Sequence, residues 1–379
     1  MSRLGWIRSI ARVALIASIA PALPGSAAAQ LPEKLPPGTY DVTPSAPKVF
    51  GAKEKARRTE AWPKAKVWQQ PAIPISQANL KETEGTEPFK ATDEVVCKFY
   101  PQASYGSGNT EKFYCIMPNG RVIKVKYSKD AQGTDNPEVR SELVGTRLLR
   151  ALGFGADIVY MPKVVRCFGC PEDPFEAQAT SFDFYNDFSH AGIEVKMPGA
   201  NLESKEYEGW SFSQLSDINP AVGGASRAEV DALRLLVAFV QNGDTKAANQ
   251  SFICLPGGLN ADRSSCSKPF AYMHDLGAMF GGQRSIKFDV KSWKTTRVWA
   301  DATCRVLRPA SYSGPSFMPV QISDQGRLFL STLMDQLSRE QIEDLFRGVR
   351  VPEAEVKEWA DEFQRRVAFL DASNLRCPK

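Results

Sequence analysis

The 379-residue sequence contains only two histidines, His190 and His274, and this scarcity argues against several kinds of active site. A Ser-His-Asp triad would have to use one of the two, and no Gly-x-Ser-x-Gly motif marks a nucleophile elbow. No Gly-x-x-x-x-Gly-Lys-Ser/Thr phosphate-binding loop is present. A zinc site at Cys167 and Cys170 would need two more ligands, and there is no second Cys-x-x-Cys motif.

A strong charge of one sign is also missing. The net charge of +4 at neutral pH is too small to indicate a nucleic-acid partner. The main local run of basic residues, at positions 53–58, is interpreted as a solvated linker.

No apolar run is long enough to cross a membrane, and the N-terminal one has the pattern of a secretory signal peptide. Three arginines precede a short apolar stretch at residues 13–20, and an Ala-x-Ala motif ends at Ala29. Pro21 and Pro24 interrupt the stretch, which is well short of the about 20 residues that a spanning helix needs. We expect residues 1–29 to be cleaved and the mature protein to be periplasmic or extracellular.

The rest of the chain carries eight cysteines, an even number that favours disulfides in an oxidising compartment. Eight cysteines allow 105 pairings. Local spacing favours one of them: Cys97 with Cys115, Cys167 with Cys170, Cys254 with Cys266, and Cys304 with Cys377.

Residues 30–90 are rich in proline and have little sustained apolar periodicity, so they are predicted to form an extended segment. Trp62 and Trp68 are candidates for docking part of it onto the folded body.

Three strands are predicted next, and they are followed by a helix. The alternating segments are residues 95–100, 112–117 and 121–127. Gly106 and Gly108 lie in the loop between the first two strands, and Lys124 and Lys126 share one face of the third. Asn136 and Pro137 begin a helix that carries Glu142 beside its apolar stripe. Further strands are predicted at residues 158–166 and 192–197.

The second half is predicted to be mainly helical, with one polar loop at its centre. The capping box Ser226-x-x-Glu229 begins an apolar helix. The loop Asp244-x-Lys246-x-x-Asn249 follows it, and then a short strand at residues 250–254. A second strand leads into Asp275-Leu276-Gly277, and amphipathic helices occupy residues 323–337, 338–350 and 352–370.

These motifs resemble those of protein kinases. Asp244-x-Lys246-x-x-Asn249 is similar to the catalytic loop of Ser/Thr kinases, and Asp275-Leu276-Gly277 to their metal-binding Asp-Phe-Gly. The helix at residues 142–154 and the run at residues 274–281 resemble segments of the secretory-pathway (Golgi casein) kinases. Together with the HipA-type and phosphatidylinositol kinases, those enzymes form the atypical branch of the kinase fold.

The resemblance implies a role for each matching residue. Asp244 would be the catalytic acid, Lys246 would contact the γ-phosphate, and Asn249 and Asp275 would bind Mg²⁺ or Mn²⁺. Lys124 or Lys126 would pair with Glu142 to hold the phosphates of ATP, beside Gly106 and Gly108 of the phosphate-covering loop. Lys126 is favoured over Lys124 because a loop follows it almost at once.

The implied fold is α+β and two-lobed. Residues 91–200 would form a small N-lobe with an antiparallel sheet and one helix, and residues 201–379 a mainly helical C-lobe. The implied function is an exported kinase that binds Mg-nucleotide and phosphorylates a protein, a glycan or a small molecule. The alternatives are a catalytically inactive kinase fold acting as a binding or scaffold protein of the cell envelope, and an unrelated disulfide-stabilised fold. In the last case Asp244, Lys246 and Asn249 would only form a polar turn.

Overall fold

The structure is a computed structural model that describes residues 31–40, 51–85, 89–101, 110–128, 137–175, 180–204, 208–281, 288–307 and 320–379. The signal-peptide prediction and the predicted phosphate-covering glycines, Gly106 and Gly108, lie outside these residues.

The N-terminal part of the chain is built on a mixed sheet that has seven strands in the described residues. In chain order they are β1 (Glu94–Phe99), β2 (Lys112–Ile116), β3 (Val122–Lys126), β4 (Ile158–Tyr160), β5 (Val164–Phe168), β6 (Tyr185–Ser189) and β7 (Gly192–Val195). Their order across the sheet is β4-β7-β3-β2-β1-β5-β6. Their apolar faces bury a core that includes Phe99, Phe113, Val125 and Ile193.

Two details of the sheet differ from the sequence prediction. The predicted strand at residues 158–166 is two strands, since Pro162 between them has no N–H to donate to a ladder. The sheet is also not purely antiparallel, because β5 runs parallel to β1 while the other pairs are antiparallel. Side chains alternate with a period of two in parallel and antiparallel strands alike, so the sequence pattern could not predict that β5 runs parallel to β1.

One helix, α2 (Pro137–Ala151), connects β3 to β4 and lies between the sheet and the C-terminal half. It is buried on nearly every side, including Val139, Leu143 and Leu148. Gly145 allows the segment after Asp275 to approach closely, since a Cβ at this position would lie 2.9 Å from Met279 Sδ.

The C-terminal half is mainly helical. Its helices are α3 (Arg227–Val240), α4 (Val290–Thr295), α5 (Asp324–Met334), α6 (Arg339–Arg347) and α7 (Glu353–Leu370). Ser226 begins α3 by accepting a hydrogen bond from the Glu229 N–H, as the capping-box motif predicts. A small antiparallel sheet of β8 (Ala200–Asn201), β9 (Gln250–Cys254) and β10 (Pro269–Met273) completes this lobe. The predicted α+β, two-lobed class is therefore confirmed.

The prediction of an extended segment at residues 30–90 is wrong for its central part. Residues 52–61 form helix α1 (Ala52–Ala61), which contains no proline. Trp62 is buried and donates to the Gln214 carbonyl, and Trp68 donates to the Leu152 carbonyl at the end of α2. Arg58, predicted to be a solvated linker residue, is buried beside the Trp62 ring. The high proline content of residues 30–90 led to the prediction of an extended segment and gave no sign of helix α1. The prediction that Trp62 and Trp68 dock this segment onto the folded body agrees with their contacts.

The four expected disulfides are present: Cys97–Cys115, Cys167–Cys170, Cys254–Cys266 and Cys304–Cys377. Such pairs are typical of oxidising compartments. In the part of the chain that the structure describes, no helix has both the length and the apolar character of a membrane span.

Candidate active site

A buried ion pair between β3 and α2 is the centre of the site. Lys126 is the last residue of β3, and its Nζ lies 2.6 Å from Glu142 Oε1 on α2. Both side chains are at least 95% buried. Burial raises the pKa of Glu142, and the Lys126 ammonium opposes this rise. Burial lowers the pKa of Lys126, but the carboxylates of Glu142, Asp275 and Glu194 outweigh it and raise that pKa well above its usual value.

Of the two candidate lysines, Lys126 forms the ion pair with Glu142 and Lys124 pairs with a different glutamate. Lys124 lies opposite Glu194 in the β3–β7 register, and its Nζ is 2.6 Å from Glu194 Oε2. Glu194 also lies 3.8 Å from Lys126 Nζ, so this glutamate joins both lysines. Sequence reasoning missed Glu194. Its signal was an acid within the predicted strand at residues 192–197, next to an isoleucine and a valine.

Asp275 reaches the same lysine from the C-terminal half. Its Oδ1 lies 3.9 Å from Lys126 Nζ, and one third of the side chain remains exposed to solvent. Although burial acts in the other direction, the Lys126 ammonium lowers the pKa of Asp275 to about 2. The Gly277 N–H donates to Asp275 Oδ1. A Cβ at Gly277 would lie 2.2 Å from Glu138 Cγ, so a larger residue at this position would have to displace the Glu138 side chain.

The loop from Asp244 to Asn249 is tied to the Asp275 segment near both of its ends. The Gly243 N–H donates to the Ala278 carbonyl at 2.9 Å. The Asn249 carbonyl accepts from the His274 and Asp275 N–H groups at 3.1 and 3.3 Å. These hydrogen bonds place the two predicted motifs side by side, although 25 residues lie between Asn249 and Asp275 in the sequence.

Side chains within the loop form an ion pair and hydrogen bonds with neighbouring loop residues. Lys246 Nζ lies 3.0 Å from Asp244 Oδ2. The Asn249 Nδ2 donates to the Asp244 carbonyl at 3.1 Å, and Asn242 Oδ1 accepts from the Asp244 N–H at 3.2 Å. Lys246 is the most exposed of the predicted loop residues, while Asn249 is buried.

A third hydrogen-bonded contact joins α2 to the Asp275 segment. The hydroxyl of Ser141, the neighbour of Glu142, donates to the Leu276 carbonyl and accepts from the Met279 N–H, at 2.9 and 2.8 Å. The Lys126–Glu142 pair and Asp275 therefore belong to elements that contact one another directly.

A second polar cluster lies next to the site, and the sequence analysis did not predict it. Lys196 Nζ lies 2.7 Å from both Asp157 Oδ2 and Glu194 Oε1. It also lies 3.4 Å from His274 Nδ1, while His274 Nε2 is 2.8 Å from the Ala248 carbonyl. A proton on Nε2 satisfies that carbonyl and leaves Nδ1 to accept from Lys196.

Of the predicted site residues, Lys126, Glu142 and Asp275 lie together, and Asp244, Lys246 and Asn249 lie on the loop whose backbone is hydrogen-bonded to the Asp275 segment. Lys124 is one step removed, through Glu194. Among the described residues, no group of three or more His, Cys, Asp or Glu side chains is placed to hold a metal ion. Mg²⁺ bound to nucleotide takes only one or two carboxylates, together with phosphate oxygens, so Asp275 with Asn249 Oδ1 suits that type of site.

No family model matches the chain, and no curated protein matches it. The solved structures to which the chain is similar include the following three. The Helicobacter pylori proinflammatory kinase CtkA is 12% identical, with a TM-score of 0.42 over 73% of this chain and 95% of that one. HipA of the Shewanella oneidensis toxin–antitoxin system is 15% identical, with a TM-score of 0.32 over 73% and 68% of the two chains. A Golgi casein kinase with Mn/ADP bound is 12% identical, with a TM-score of 0.33 over 74% and 72%.

All three TM-scores are below 0.5, so the description of the fold is based on the chain's own residues. A sheet lobe with one buried helix is joined to a helical lobe, and Lys126, Glu142 and Asp275 meet between the two. This arrangement is an atypical protein-kinase-like fold.

Proposed function

We propose that the protein binds a nucleotide with Mg²⁺ or Mn²⁺ between its lobes and transfers phosphate to an acceptor in the envelope or outside the cell. The observation that carries this proposal is the position of Lys126 Nζ, 2.6 Å from Glu142 and 3.9 Å from Asp275. A lysine held by a helix glutamate, and close to a metal-binding aspartate, is the arrangement that protein kinases need in phosphoryl transfer.

In this proposal Lys126 contacts the nucleotide phosphates, and Glu142 fixes its ammonium group. Asp275 and Asn249 hold the metal, which would neutralise charge on the phosphates. Their chemistry fits: Asp275 is ionised at neutral pH and partly exposed. Asn249 uses its Nδ2 to hold the Asp244 carbonyl, so its Oδ1 is the atom suited to a hard cation.

Asp244 would orient the acceptor hydroxyl and take up its proton. Lys246 lies 3.0 Å from the Asp244 carboxylate and is partly exposed, so it can reach a phosphate at the mouth of the site. The rate gain from such positioning comes from orientation and from charge stabilisation.

The compartment is the second part of the proposal. The N-terminal pattern described above and four disulfides favour export, with the folded protein in the periplasm or outside the cell.

The first experiment is a thermal-shift titration of the intact protein with ATP, with and without Mg²⁺ or Mn²⁺. Ligand that binds only the folded state at about 100 times its Kd stabilises by about 2.7 kcal/mol, which appears as a rise in Tm. Asp275→Asn keeps the shape of the side chain and should lose the metal-dependent part of the shift. Asp262→Asn, on an exposed turn outside the site, is the matched control and should keep it. Equal shifts in both variants, or none in the wild type, would contradict the proposal.

A second candidate function is nucleotide binding without transfer. It is favoured by Asn242 and Gly243, which precede Asp244 where protein kinases carry His-Arg. Incubation with radiolabelled ATP and envelope extract separates the two functions. Labelling of an acceptor by the wild type but not by Asp244→Asn supports transfer. A metal-dependent Tm shift without labelling supports the binding protein.

A further inference from the structure

The carboxylate of Glu194 is held at both oxygens by lysines that the proposed function does not use. Lys124 Nζ donates to Glu194 Oε2 at 2.6 Å. Lys196 Nζ lies 2.7 Å from Glu194 Oε1, as an ion pair whose angles do not fit a hydrogen bond. The Glu194 side chain is only 3% exposed, so it depends on nearby lysines, rather than on water, to balance its charge.

Lys196 is anchored at its ammonium group, although 58% of its side chain is exposed. The same Nζ lies 2.7 Å from Asp157 Oδ2. Asp157 is fully buried, and its Oδ1 accepts from the Met197 N–H and from the Tyr272 hydroxyl, each at 2.9 Å. Because Asp157 is bound in this way on its other oxygen, it keeps the Lys196 ammonium beside Glu194.

This arrangement leaves Lys126 with unused hydrogen-bonding capacity. A lysine ammonium has three N–H donors. Among the residues that the structure describes, Lys126 uses one of them, for Glu142 at 2.6 Å. The nearest oxygens of Glu194, Asp275 and Glu138 lie 3.8, 3.9 and 4.0 Å from its Nζ, beyond hydrogen-bond distance. The other donors can therefore meet the oxygens of a bound phosphate.

Glu194 is the acid placed to take up one of these donors. Its Oε2, the oxygen that Lys124 holds, is the one that lies 3.8 Å from Lys126 Nζ. A charge-assisted hydrogen bond is about 2.7–2.9 Å long, so a shift of about 1 Å would join Glu194 to Lys126. A carboxylate bonded there would compete with a phosphate for the same ammonium group.

We propose that Lys124 and Lys196 are positioning residues of the nucleotide site: together they hold the Glu194 carboxylate away from Lys126, whose remaining donors then bind the nucleotide phosphates. This inference rests on the proposed function. Loss of either lysine releases an oxygen of Glu194 to pair with Lys126, so nucleotide affinity falls, and removal of the charge of Glu194 restores it.

The test is isothermal titration calorimetry of the intact protein with ATP and Mn²⁺. Lys124→Met and Lys196→Met should each weaken ATP binding about tenfold, the value of one charge-assisted hydrogen bond. Lys163→Met is the matched control and should bind ATP as the wild type does. Lys163 is 61% exposed, much as Lys196 is, and pairs with Glu94, which is not a residue of the site.

Double variants distinguish positioning from a simple change of net charge. Lys124→Met/Glu194→Gln and Lys196→Met/Glu194→Gln should each recover most of the lost affinity. Glu194→Gln alone should change the affinity little, because the two lysines already hold this carboxylate. If only net charge mattered, Glu194→Gln would strengthen ATP binding by the same factor with or without a lysine substitution.

The outcomes separate this inference from the proposed function. If either Lys124→Met or Lys196→Met binds ATP as Lys163→Met does, or if Glu194→Gln has the same effect in every background, the inference is overturned while the proposed function stands. Lys196→Met also leaves Asp157 without its cation, so if that variant does not fold, the comparison of Lys124→Met with Lys124→Met/Glu194→Gln decides. An absence of saturable ATP binding by the wild type would contradict the proposed function, and this inference with it.

Discussion

At the scale of single residues, the buried charges around Lys126 depend on one another. Glu142, Glu194, Asp275 and Glu138 all place an oxygen within 4.0 Å of its Nζ. The attraction between such groups offsets their desolvation only while the set is complete. Three of these carboxylates, those of Glu138, Glu142 and Glu194, are buried, and carboxylates are rarely buried without a partner.

Replacement of Lys126 by methionine should therefore destabilise the protein. The variant leaves Glu142, Glu194 and Asp275 without their shared cation, and removal of one partner of a buried pair costs about 3 kcal/mol. Uptake of a proton by Glu142, whose pKa burial already raises, limits the loss. Urea unfolding measures it.

Two further variants make this prediction specific. Lys124→Met should lose less stability, because Lys196 remains 2.7 Å from Glu194. The double variant Lys126→Met/Glu142→Leu should recover part of the loss, since neither charge is then left alone. A double variant less stable than Lys126→Met would contradict this account.

The sequence showed part of this residue network and not the rest. Asp275 could be identified from its Asp-Leu-Gly motif, and Glu142 and the lysine pair Lys124 and Lys126 from the order of a third strand and a helix. Glu194, Asp157 and Lys196 could not, because they meet through strand pairing between segments that are distant along the chain. Strand order and register are set by tertiary packing, and a single sequence does not show them.

At the scale of elements, α2 determines whether the two halves of the site meet. It carries Glu142 toward β3, and through Ser141 it holds the segment that follows Asp275. The helix and its glutamate were predictable from the Asn-Pro start and the apolar stripe. The close contact at Gly145 was not predictable, because a glycine within a helical pattern does not indicate which segment packs against it.

Enlarging Gly145 should separate these elements. A Cβ there would lie 2.8 Å from Met279 Cε and 3.1 Å from Leu276 Cβ, closer than ordinary contact. Gly145→Ala gains helix propensity of about 1 kcal/mol, which offsets part of the clash, whereas Gly145→Val adds bulk and loses that gain. We expect Gly145→Val to lower stability by about 1–3 kcal/mol and to weaken ATP binding. Urea unfolding and the ATP thermal shift measure the two effects, and a Gly145→Val variant as stable as Gly145→Ala would show that Met279 moves aside freely.

At the scale of the whole molecule, disulfides close both short and long stretches of chain. Cys167 and Cys170 are 3 residues apart, whereas Cys304 and Cys377 are 73 residues apart and fasten the C-terminal segment to the helical lobe. Since 304–377 spans α5, α6 and α7, its closure restricts the unfolded chain far more than that of 167–170.

The two pairs should therefore contribute very differently to stability. In the chain-entropy account the contribution grows with the logarithm of the number of residues enclosed, and the two separations give a difference of about 3 kcal/mol. Cys304→Ala/Cys377→Ala should accordingly lower the free energy of unfolding by about 3 kcal/mol more than Cys167→Ala/Cys170→Ala does. Both double variants remove two sulfurs and leave the other three disulfides intact, so they are matched controls for each other. Urea unfolding under oxidising conditions measures the difference. If the two variants lose the same stability, the long closure does not act through the unfolded chain, and the C-terminal segment is held by packing alone.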